Sequence, residues 1–396
     1  MIVLANADVV LPDRILSGGA VVIDNDRILD VLAAAPEQSS SDLFFDLRGH
    51  TVVPGFIDVH VHGVEGTDSL DGGDAIARIA ARLPRFGVTA FCPTSVACSP
   101  LALRVLLAAI GEARLRPVAG SARVLPAHLE SNFINPDYRG AQPLACLCLP
   151  PAAKSAAPRG DFTGAEILAE IEAARPDVGI VTIAPELDGA LDLIRELTTR
   201  GHRVSLGHSG ASYEQAVEGI AAGARHATHL FNRMTPITHR APGLAAAVLE
   251  HDEVAAEIVC DGVHVHPAMM RVAIAAKSPL GVMAITDGTG GSGLARGATA
   301  VLGGRTITVK DAAYLDDGTL AGSTLTMDRA YAGLTGFVGL SPIDAATMCS
   351  TTPARALGLR GFGVISPGAV ADLAVLGPGA DVVQTWIAGA LAYSRA

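Results

Sequence analysis

The sequence predicts an α/β fold: a (β/α)8 TIM barrel with a small β-sandwich domain built from both chain ends. From about residue 51, strand-like and helix-like runs alternate eight times, a pattern and length typical of a (β/α)8 barrel. Before and after that stretch, short strand-like runs are separated by polar turns. We therefore expect a barrel domain of residues 54–359, and a β-sandwich domain that combines residues 1–53 with residues 360–396.

Eight strands and seven intervening helices carry the barrel prediction. The expected strands are Val52–His62, Val88–Thr94, Arg123–Glu130, Gly179–Pro185, Arg203–His208, His226–Phe231, Val254–His264 and Gly281–Asp287. The expected helices are 73–86, 100–114, 163–175, 187–200, 212–223, 242–250 and 267–277. A doubly wound sheet would also alternate, but it usually needs fewer strands, and no GxGxxG sequence opens the first helix.

Two segments interrupt the alternation. Residues 131–160 form a long loop rich in Pro and Gly, and such loops in compact domains are usually functional or disordered. Residues 299–320 are predicted to form a β-hairpin, after which helices are expected at 323–338 and 342–349.

Composition narrows the classes of partner. A net charge of -11 argues against a nucleic-acid surface, which normally needs a basic patch. No apolar run approaches the ~20 residues of a membrane span, and the N-terminus lacks the pattern of a signal peptide. The six cysteines are scattered, which suits reduced thiols better than a disulfide framework. We expect a cytoplasmic protein that acts on a small molecule, with no nucleic-acid or membrane partner.

The stretch Pro54–Gly63 contains two histidines in a strand-like run. Side chains alternate along a strand, so His60 and His62 are expected to share one face, about 6.6 Å apart along the chain. Two neutral imidazoles at that spacing can bind one metal ion. They can equally be two hydrogen-bonded histidines with no chemical role, so the rest of the chain must supply further ligands.

Further metal-ligating residues are predicted at the ends of other barrel strands, where barrel enzymes place their catalytic groups. The candidate metal ligands are His60, His62, Glu130, His208, His229 and Asp287. Histidine and carboxylate ligands suit Zn²⁺, with Fe, Mn, Co or Ni as alternatives. One ion would bind His60 and His62, and another His208 and His229, with Glu130 on or between them.

Asp287 also suggests the reaction. A carboxylate beside a water that a metal has made more acidic can take its proton and pass it to a leaving group. This chemistry indicates hydrolysis of an amide or an ester. The alternative for Asp287 is a helix cap after the last strand.

Together, these motifs resemble those of the amidohydrolase superfamily, and most closely the N-acetylglucosamine-6-phosphate deacetylases. The matching motifs, in order between residues 50 and 360, are PGFIDVHVHG, HLE, GHS, THLFNRM, DGVH, TDG and LAGSTLTM. The resemblance implies a barrel with a β-sandwich from both chain ends, one or two divalent ions, a homodimer, and removal of the acetyl group from N-acetylglucosamine 6-phosphate.

The resemblance also implies roles for individual residues. Glu130, His208 and His229 match the main metal site, whereas His60 and His62 match a second site that some members lack. Asp287 matches the general base and acid. The positions that match substrate-binding residues are His264 for the sugar, Asn232 and Arg233 for the phosphate through their backbone, and Arg240 for the phosphate across a dimer interface.

The loop after the third strand departs from the family pattern. Gln142 stands where the family has a histidine that hydrogen-bonds the acyl carbonyl. A glutamine amide still donates a hydrogen bond, but it cannot become cationic to stabilise an oxyanion. Two alternatives therefore stay open: an amidohydrolase of a different N-acyl or cyclic amide substrate set by residues 131–142, and a catalytically silent binding protein.

Overall fold

Eight parallel strands form a barrel in the middle of the chain. The computed structural model describes residues 1–37, 42–154 and 160–395. The barrel strands, numbered here from first to eighth, are Phe56–Val61, Val88–Ser95, Arg123–Val124 with Ala127–Leu129, Val178–Ile183, Arg203–Leu206, His226–Ala227, Ala255–Val259 and Val282–Ile285. Each strand pairs in parallel with its neighbour in the chain, which confirms the predicted fold class.

The barrel closes between the eighth and first strands. The His62 backbone N–H donates to the Gly288 carbonyl at 2.7 Å, and the Asp287 N–H donates to the His60 carbonyl at 2.9 Å. These bonds bring the two ends of the barrel sequence together at the same rim. As a consequence, His60, His62 and Asp287 lie side by side.

Helices surround the barrel in the intervals where the sequence predicts them. Those that follow the first seven strands are Ala75–Arg82, Pro100–Leu115, Gly164–Ala173, Ala190–Thr199, Tyr213–Ala222, Gly243–Glu250 and Pro267–Lys277. After the eighth strand come Met327–Gly333, Pro342–Ala346 and Thr352–Leu357, joined by the wider π-type turns Leu334–Val338 and Thr347–Thr351. Short 3-10 turns occupy Ser69–Asp71, Leu83–Phe86, Pro136–Tyr138, Leu144–Cys146 and Pro279–Gly281.

Local sequence signals explain these helices. Thr163 and Glu166 form a capping box at one N-terminus, and Ser99 caps another through the Ala102 N–H. The helix Ala190–Thr199 buries Ala190, Leu193, Ile194 and Leu197, the spacing of a single helical face against the barrel. The local helix signals and the packing of the apolar helix face therefore favour the same structure, as expected of a sequence that folds to one state.

Strands from both chain ends form a second sheet. Its hydrogen-bonded order is Ala390–Ser394, Val382–Ile387, Leu373–Leu376, Thr51–Pro54, Ile2–Val10, Ile15–Asp24 and Arg27–Leu32, with Leu43–Asp46 paired to Ile2–Val10. The first half of Ile2–Val10 pairs with Leu43–Asp46 and the second half with Thr51–Pro54, so one strand contacts both. Leu4, Val21, Val52, Leu373 and Trp386 pack into a common core. A second domain built from both ends is therefore confirmed, while its residue boundaries stay a prediction.

Several predicted strand bounds were wrong. The predicted strand Val52–His62 is two strands, because Gly55 turns the chain from the second sheet into the barrel and packs against Thr89. The third strand breaks around Pro126, which has no N–H for the ladder. The sixth and seventh strands are shorter than predicted, ending at Ala227 and Val259.

Residues 299–320 form more than the predicted hairpin. Three antiparallel strands, Thr299–Leu302, Arg305–Val309 and Ala313–Tyr314, make a small sheet that packs near the barrel mouth against Val96. A two-stranded ribbon of Gly63–Val64 and Thr67–Asp68 lies beside it. Within the described residues, none of the helices has the length and apolar character needed to cross a bilayer.

Candidate active site

A cavity of about 530 Å³ opens at the carboxyl ends of the barrel strands. Most of the residues predicted for the site line it, namely His62, Glu130, Gln142, His208, His229, Asn232, Arg233, His264 and Asp287. His60 lies directly beneath, fully buried and in contact with His62. The structure therefore gathers residues from six strand ends around one cavity.

The first group of candidate ligands comprises Glu130, His208 and His229, called here the Glu130 cluster. One Glu130 carboxylate oxygen, Oε1, lies 2.8 Å from Nε2 of both histidines. The two Nε2 atoms lie 3.0 Å apart. His208 Nδ1 donates to the Tyr138 carbonyl at 2.8 Å, which leaves its Nε2 lone pair directed into the cluster.

The second group comprises His60, His62 and Asp287, called here the Asp287 cluster. The Nε2 atoms of the two histidines lie 3.3 Å apart. Asp287 Oδ1 lies 3.4 Å from His60 Nε2 and 3.3 Å from His62 Nε2. Glu130 Oε2 is 3.3 Å from His62 Nε2, so Glu130 faces both clusters.

This donor set fits divalent ions. Ligands bound at about 2.1 Å around one tetrahedral ion lie roughly 3.4 Å from one another. The ligand atoms within the two clusters are 2.8–3.4 Å apart, close to that spacing. Each cluster also combines two imidazole nitrogens with one carboxylate, a common set for zinc and its neighbours.

The electrostatics keep the carboxylates ionised. Burial raises the pKa of Asp287, but the imidazoles of His60 and His62 outweigh it, so the pKa stays below its usual value. Burial also acts on Glu130, and His208 and His229 again outweigh it, lowering the pKa well below normal. For His62, burial opposes protonation, but Asp287 and Glu130 raise its pKa to about 10. Two ionised, buried carboxylates thus face the imidazoles.

Unusual backbone conformations direct three of these side chains into the cavity. His208, His229 and Asp287 have positive φ values of 48°, 31° and 47°. Non-glycine residues in this region cost about 1–3 kcal/mol each and concentrate at functional sites. The left-handed turns at His208 and His229 are also why the fifth and sixth strands end earlier than the apolar pattern predicts.

Gln142 occupies the wall of the cavity, with both ends of its amide engaged within the protein. Its Nε2 donates to the Glu130 carboxylate, and its Oε1 accepts from the Ala97 N–H at 2.7 Å. The sequence predicts that Gln142 lies in the site. In the structure, its hydrogen-bond partners are a candidate metal ligand and the backbone.

The remaining predicted substrate residues lie on loops at the cavity mouth. His264 lines the cavity, and its Nδ1 is 2.6 Å from the Asp261 carboxylate. The Asn232 amide donates to the His229 carbonyl at 3.3 Å, while the Arg233 side chain is exposed. Arg240 is also exposed, but it lies outside the cavity lining of its own chain.

Two buried polar residues beneath the clusters were not among the predicted site residues, although His128 belongs to the HLE motif. Glu257, on the seventh strand, places its Oε2 3.0 Å from His60 Nδ1. His128, on the third strand, hydrogen-bonds the Val59 carbonyl and the Thr182 hydroxyl. The one available signal for Glu257 was a lone carboxylate in the otherwise apolar strand Ala255–Val259.

The sequence matches a known protein family and resembles characterised members of it. Residues 51–392 match the sequence profile of the amidohydrolase family. The N-acetylglucosamine-6-phosphate deacetylase of Bacillus subtilis (strain 168) is 31% identical over 97% of this chain and 95% of its own length. The N-acetylgalactosamine-6-phosphate deacetylase of Escherichia coli O157:H7 is 33% identical over 92% of this chain and 94% of its own.

A solved structure agrees with these matches. A variant of the Mycobacterium smegmatis N-acetyl-D-glucosamine-6-phosphate deacetylase, in complex with N-acetyl-D-glucosamine-6-phosphate, superposes with a TM-score of 0.87 at 32% identity, covering 99% of both chains. The chain belongs to the amidohydrolase family and is an enzyme that hydrolyses carbon–nitrogen bonds. Within that class, its resemblance to the N-acetylglucosamine-6-phosphate deacetylases is confirmed.

Proposed function

We propose that this enzyme removes the acetyl group from an N-acetylated amino-sugar 6-phosphate, with N-acetylglucosamine 6-phosphate as its substrate, to give the amino-sugar phosphate and acetate. The observation that carries the proposal is the convergence of the two clusters at one cavity, which Glu130 and Asp287 both line. Relatives of nearly the same length that are named for this activity support the choice of substrate.

The proposal requires divalent metal. The Glu130 cluster would hold one ion and the Asp287 cluster a second, with zinc as the first choice and Fe, Mn, Co or Ni as alternatives. When bound, such an ion polarises the acyl carbonyl and makes water acidic enough to react near neutral pH. Glu130, which faces both clusters, couples the two positions.

Asp287 acts as the general base and then the general acid. It takes a proton from the attacking water and delivers it to the amine that leaves as the carbon–nitrogen bond breaks. The lowered pKa of Asp287 keeps its carboxylate ionised, so its oxygens act as acceptors. Its φ of 47° directs the carboxylate into the cavity.

Loops at the mouth bind the rest of the substrate. His264 contacts the sugar, and the backbone at Asn232 and Arg233 binds the phosphate. Arg240, exposed and outside its own cavity, serves the phosphate site of a second copy, so the active form is a homodimer. A cytoplasmic location agrees with six cysteines that are all free.

One observation favours a second candidate substrate. The Gln142 amide is engaged with Glu130 and Ala97, so the wall that would contact the acyl group and sugar differs from the family pattern. The galactosamine epimer is therefore the alternative, and the Escherichia coli relative at 33% identity is named for that substrate. A different N-acyl or cyclic amide is the broader alternative.

The test is an acetate-release assay with the purified enzyme after removal and return of metal. N-acetylglucosamine 6-phosphate, its galactosamine epimer and the unphosphorylated sugar are compared at equal concentrations. We expect turnover of the phosphorylated glucosamine that is lost after chelation and restored by Zn²⁺ or another divalent ion. Faster turnover of the epimer would favour the second candidate, and no turnover of any of the three would refute the proposal.

A further inference from the structure

We propose that Glu257 is a positioning residue that enables the Asp287 cluster to hold a second divalent ion. The inference rests on the proposed metal-dependent function and deepens it. It concerns a residue that the mechanism above does not use. Glu257 sits on the seventh barrel strand with its side chain fully buried.

The contact between Glu257 and His60 fixes the form of the imidazole. Glu257 Oε2 lies 3.0 Å from His60 Nδ1, and since a carboxylate only accepts, the imidazole donates its proton there. The other ring nitrogen, Nε2, is then unprotonated and faces His62 and Asp287. A carboxylate behind a ligating histidine fixes its tautomer, orients the ring and raises its basicity.

The cost of burying Glu257 argues for such a role. Its Oε1 is buried without a hydrogen-bond partner among the residues that the structure describes. Its Oε2 accepts from the His60 imidazole and, at 3.4 Å, from the His229 backbone N–H, and a buried carboxylate with so few donors is costly. A divalent cation on the far side of His60 would offset that cost by its charge.

A rival interpretation treats Glu257 as a ligand itself. Glu257, His60 and His128 lie close enough to one another to hold an ion. However, His128 Nδ1 donates to the Val59 carbonyl at 2.9 Å, and its Nε2 lies 3.1 Å from the Thr182 hydroxyl. Both nitrogens of His128 are therefore committed, and Glu257 acts through His60.

The Glu130 cluster provides an internal contrast. Behind His208 stands a neutral acceptor, the Tyr138 carbonyl, 2.8 Å from Nδ1. The His208 imidazole therefore does not depend on a buried charge, and Glu257 Oε2 reaches the backbone N–H of His229, at 3.4 Å, rather than its imidazole. Loss of Glu257 should weaken the second ion selectively and leave the first ion in the Glu130 cluster.

The experiment measures metal content and stepwise affinity in the full-length enzyme. Glu257→Gln keeps an acceptor oxygen but removes the charge, whereas Glu257→Leu removes both. Ile258→Val, buried on the same strand with its side chain on the other face, is the packing control. Each protein is titrated with Zn²⁺ and with Co²⁺, followed by elemental analysis and the visible spectrum of bound Co²⁺.

We expect two ions per chain in the unmodified enzyme and in Ile258→Val. The dissociation constant of the second ion should rise about 10-fold in Glu257→Gln and about 100-fold in Glu257→Leu, while that of the first ion is unchanged. Two ions at unchanged affinity in Glu257→Leu would overturn the inference, as would equal weakening of both ions or a single ion in the unmodified enzyme. Acetate release is measured in a separate assay, so the metal-binding result does not depend on whether the enzyme turns over the proposed substrate.

Discussion

The floor and the rim of the cavity are built in opposite ways. The floor consists of buried histidines and carboxylates at the ends of barrel strands, such as His60, Glu130 and His229, each held by other side chains or by backbone groups. The rim consists of loops in which Arg233 and Arg240 are exposed. The floor is fixed by packing and hydrogen bonds among buried groups, whereas the rim is held mainly by local hydrogen bonds, such as that from the Asn232 amide to the His229 carbonyl.

This difference separates chemistry from specificity. Residues that move protons or hold ions must keep their geometry to within fractions of an ångström, and a barrel floor supplies that rigidity. Residues that recognise a particular sugar and phosphate can vary on loops without disturbing the floor. Changes in the floor should therefore act on turnover, and changes at the rim should act on substrate affinity and choice.

The largest effect is expected from the floor. Asp287→Asn keeps the shape of the side chain but cannot accept a proton, so kcat should fall about 10³-fold. Steady-state acetate release measures this. Asp372→Asn, which alters an equally buried carboxylate in the second sheet, should leave kcat unchanged. A fall of less than tenfold in Asp287→Asn would place the proton transfer elsewhere.

A smaller effect, confined to affinity, is expected from the rim. Arg240→Ala should raise KM for the phosphorylated substrate about 10- to 100-fold, because a charge-assisted hydrogen bond to phosphate contributes about 1.5–3 kcal/mol. The kcat should change little. Arg195→Ala, an exposed arginine on the helix Ala190–Thr199, should match the unmodified enzyme in both constants.

Mixing the two variants tests whether Arg240 acts in a second copy. In a hybrid of Arg240→Ala and Asp287→Asn chains, one of the two sites combines an intact Asp287 with an intact Arg240 from the other chain. We expect that site to regain the KM of the unmodified enzyme. A hybrid that keeps the raised KM would show that Arg240 does not serve a partner's site.

The sequence predicted the candidate metal ligands of the floor better than the buried residues that hold those ligands in place. The candidate ligands His60, His62, His208 and His229 lie in short local motifs, and the expectation that barrel strands end at one rim placed them together. Glu257 was missed because its partner, His60, is 197 residues away and no local pattern joins them. Such hydrogen bonds form only between strands that become neighbours in the closed barrel, so a local sequence pattern does not predict them.

The sequence also did not predict where the barrel strands end. The predicted strands ran past Leu206 and Ala227 to His208 and Phe231, although histidine is one of the residue types in which a left-handed backbone is enriched. A tertiary hydrogen bond lies next to the turn at His229, where the Leu230 N–H donates to the Glu257 carbonyl at 2.7 Å, and a local pattern does not predict this contact. The rim was predicted only through motifs, and its partner contacts stay a prediction.

Gln142 joins the floor to the rim, and its substitution is expected to have the smallest effect on kcat/KM. Gln142→Leu leaves the Ala97 N–H without its side-chain acceptor and removes one donor from Glu130. The free energy of unfolding should therefore fall by about 1–3 kcal/mol, measured by denaturant titration. The kcat/KM should fall about tenfold, because Glu130 is less well held. If Gln142 instead served mainly to bind the acyl oxygen, Gln142→Leu would lower kcat with no loss of stability, and this residue would belong to the rim.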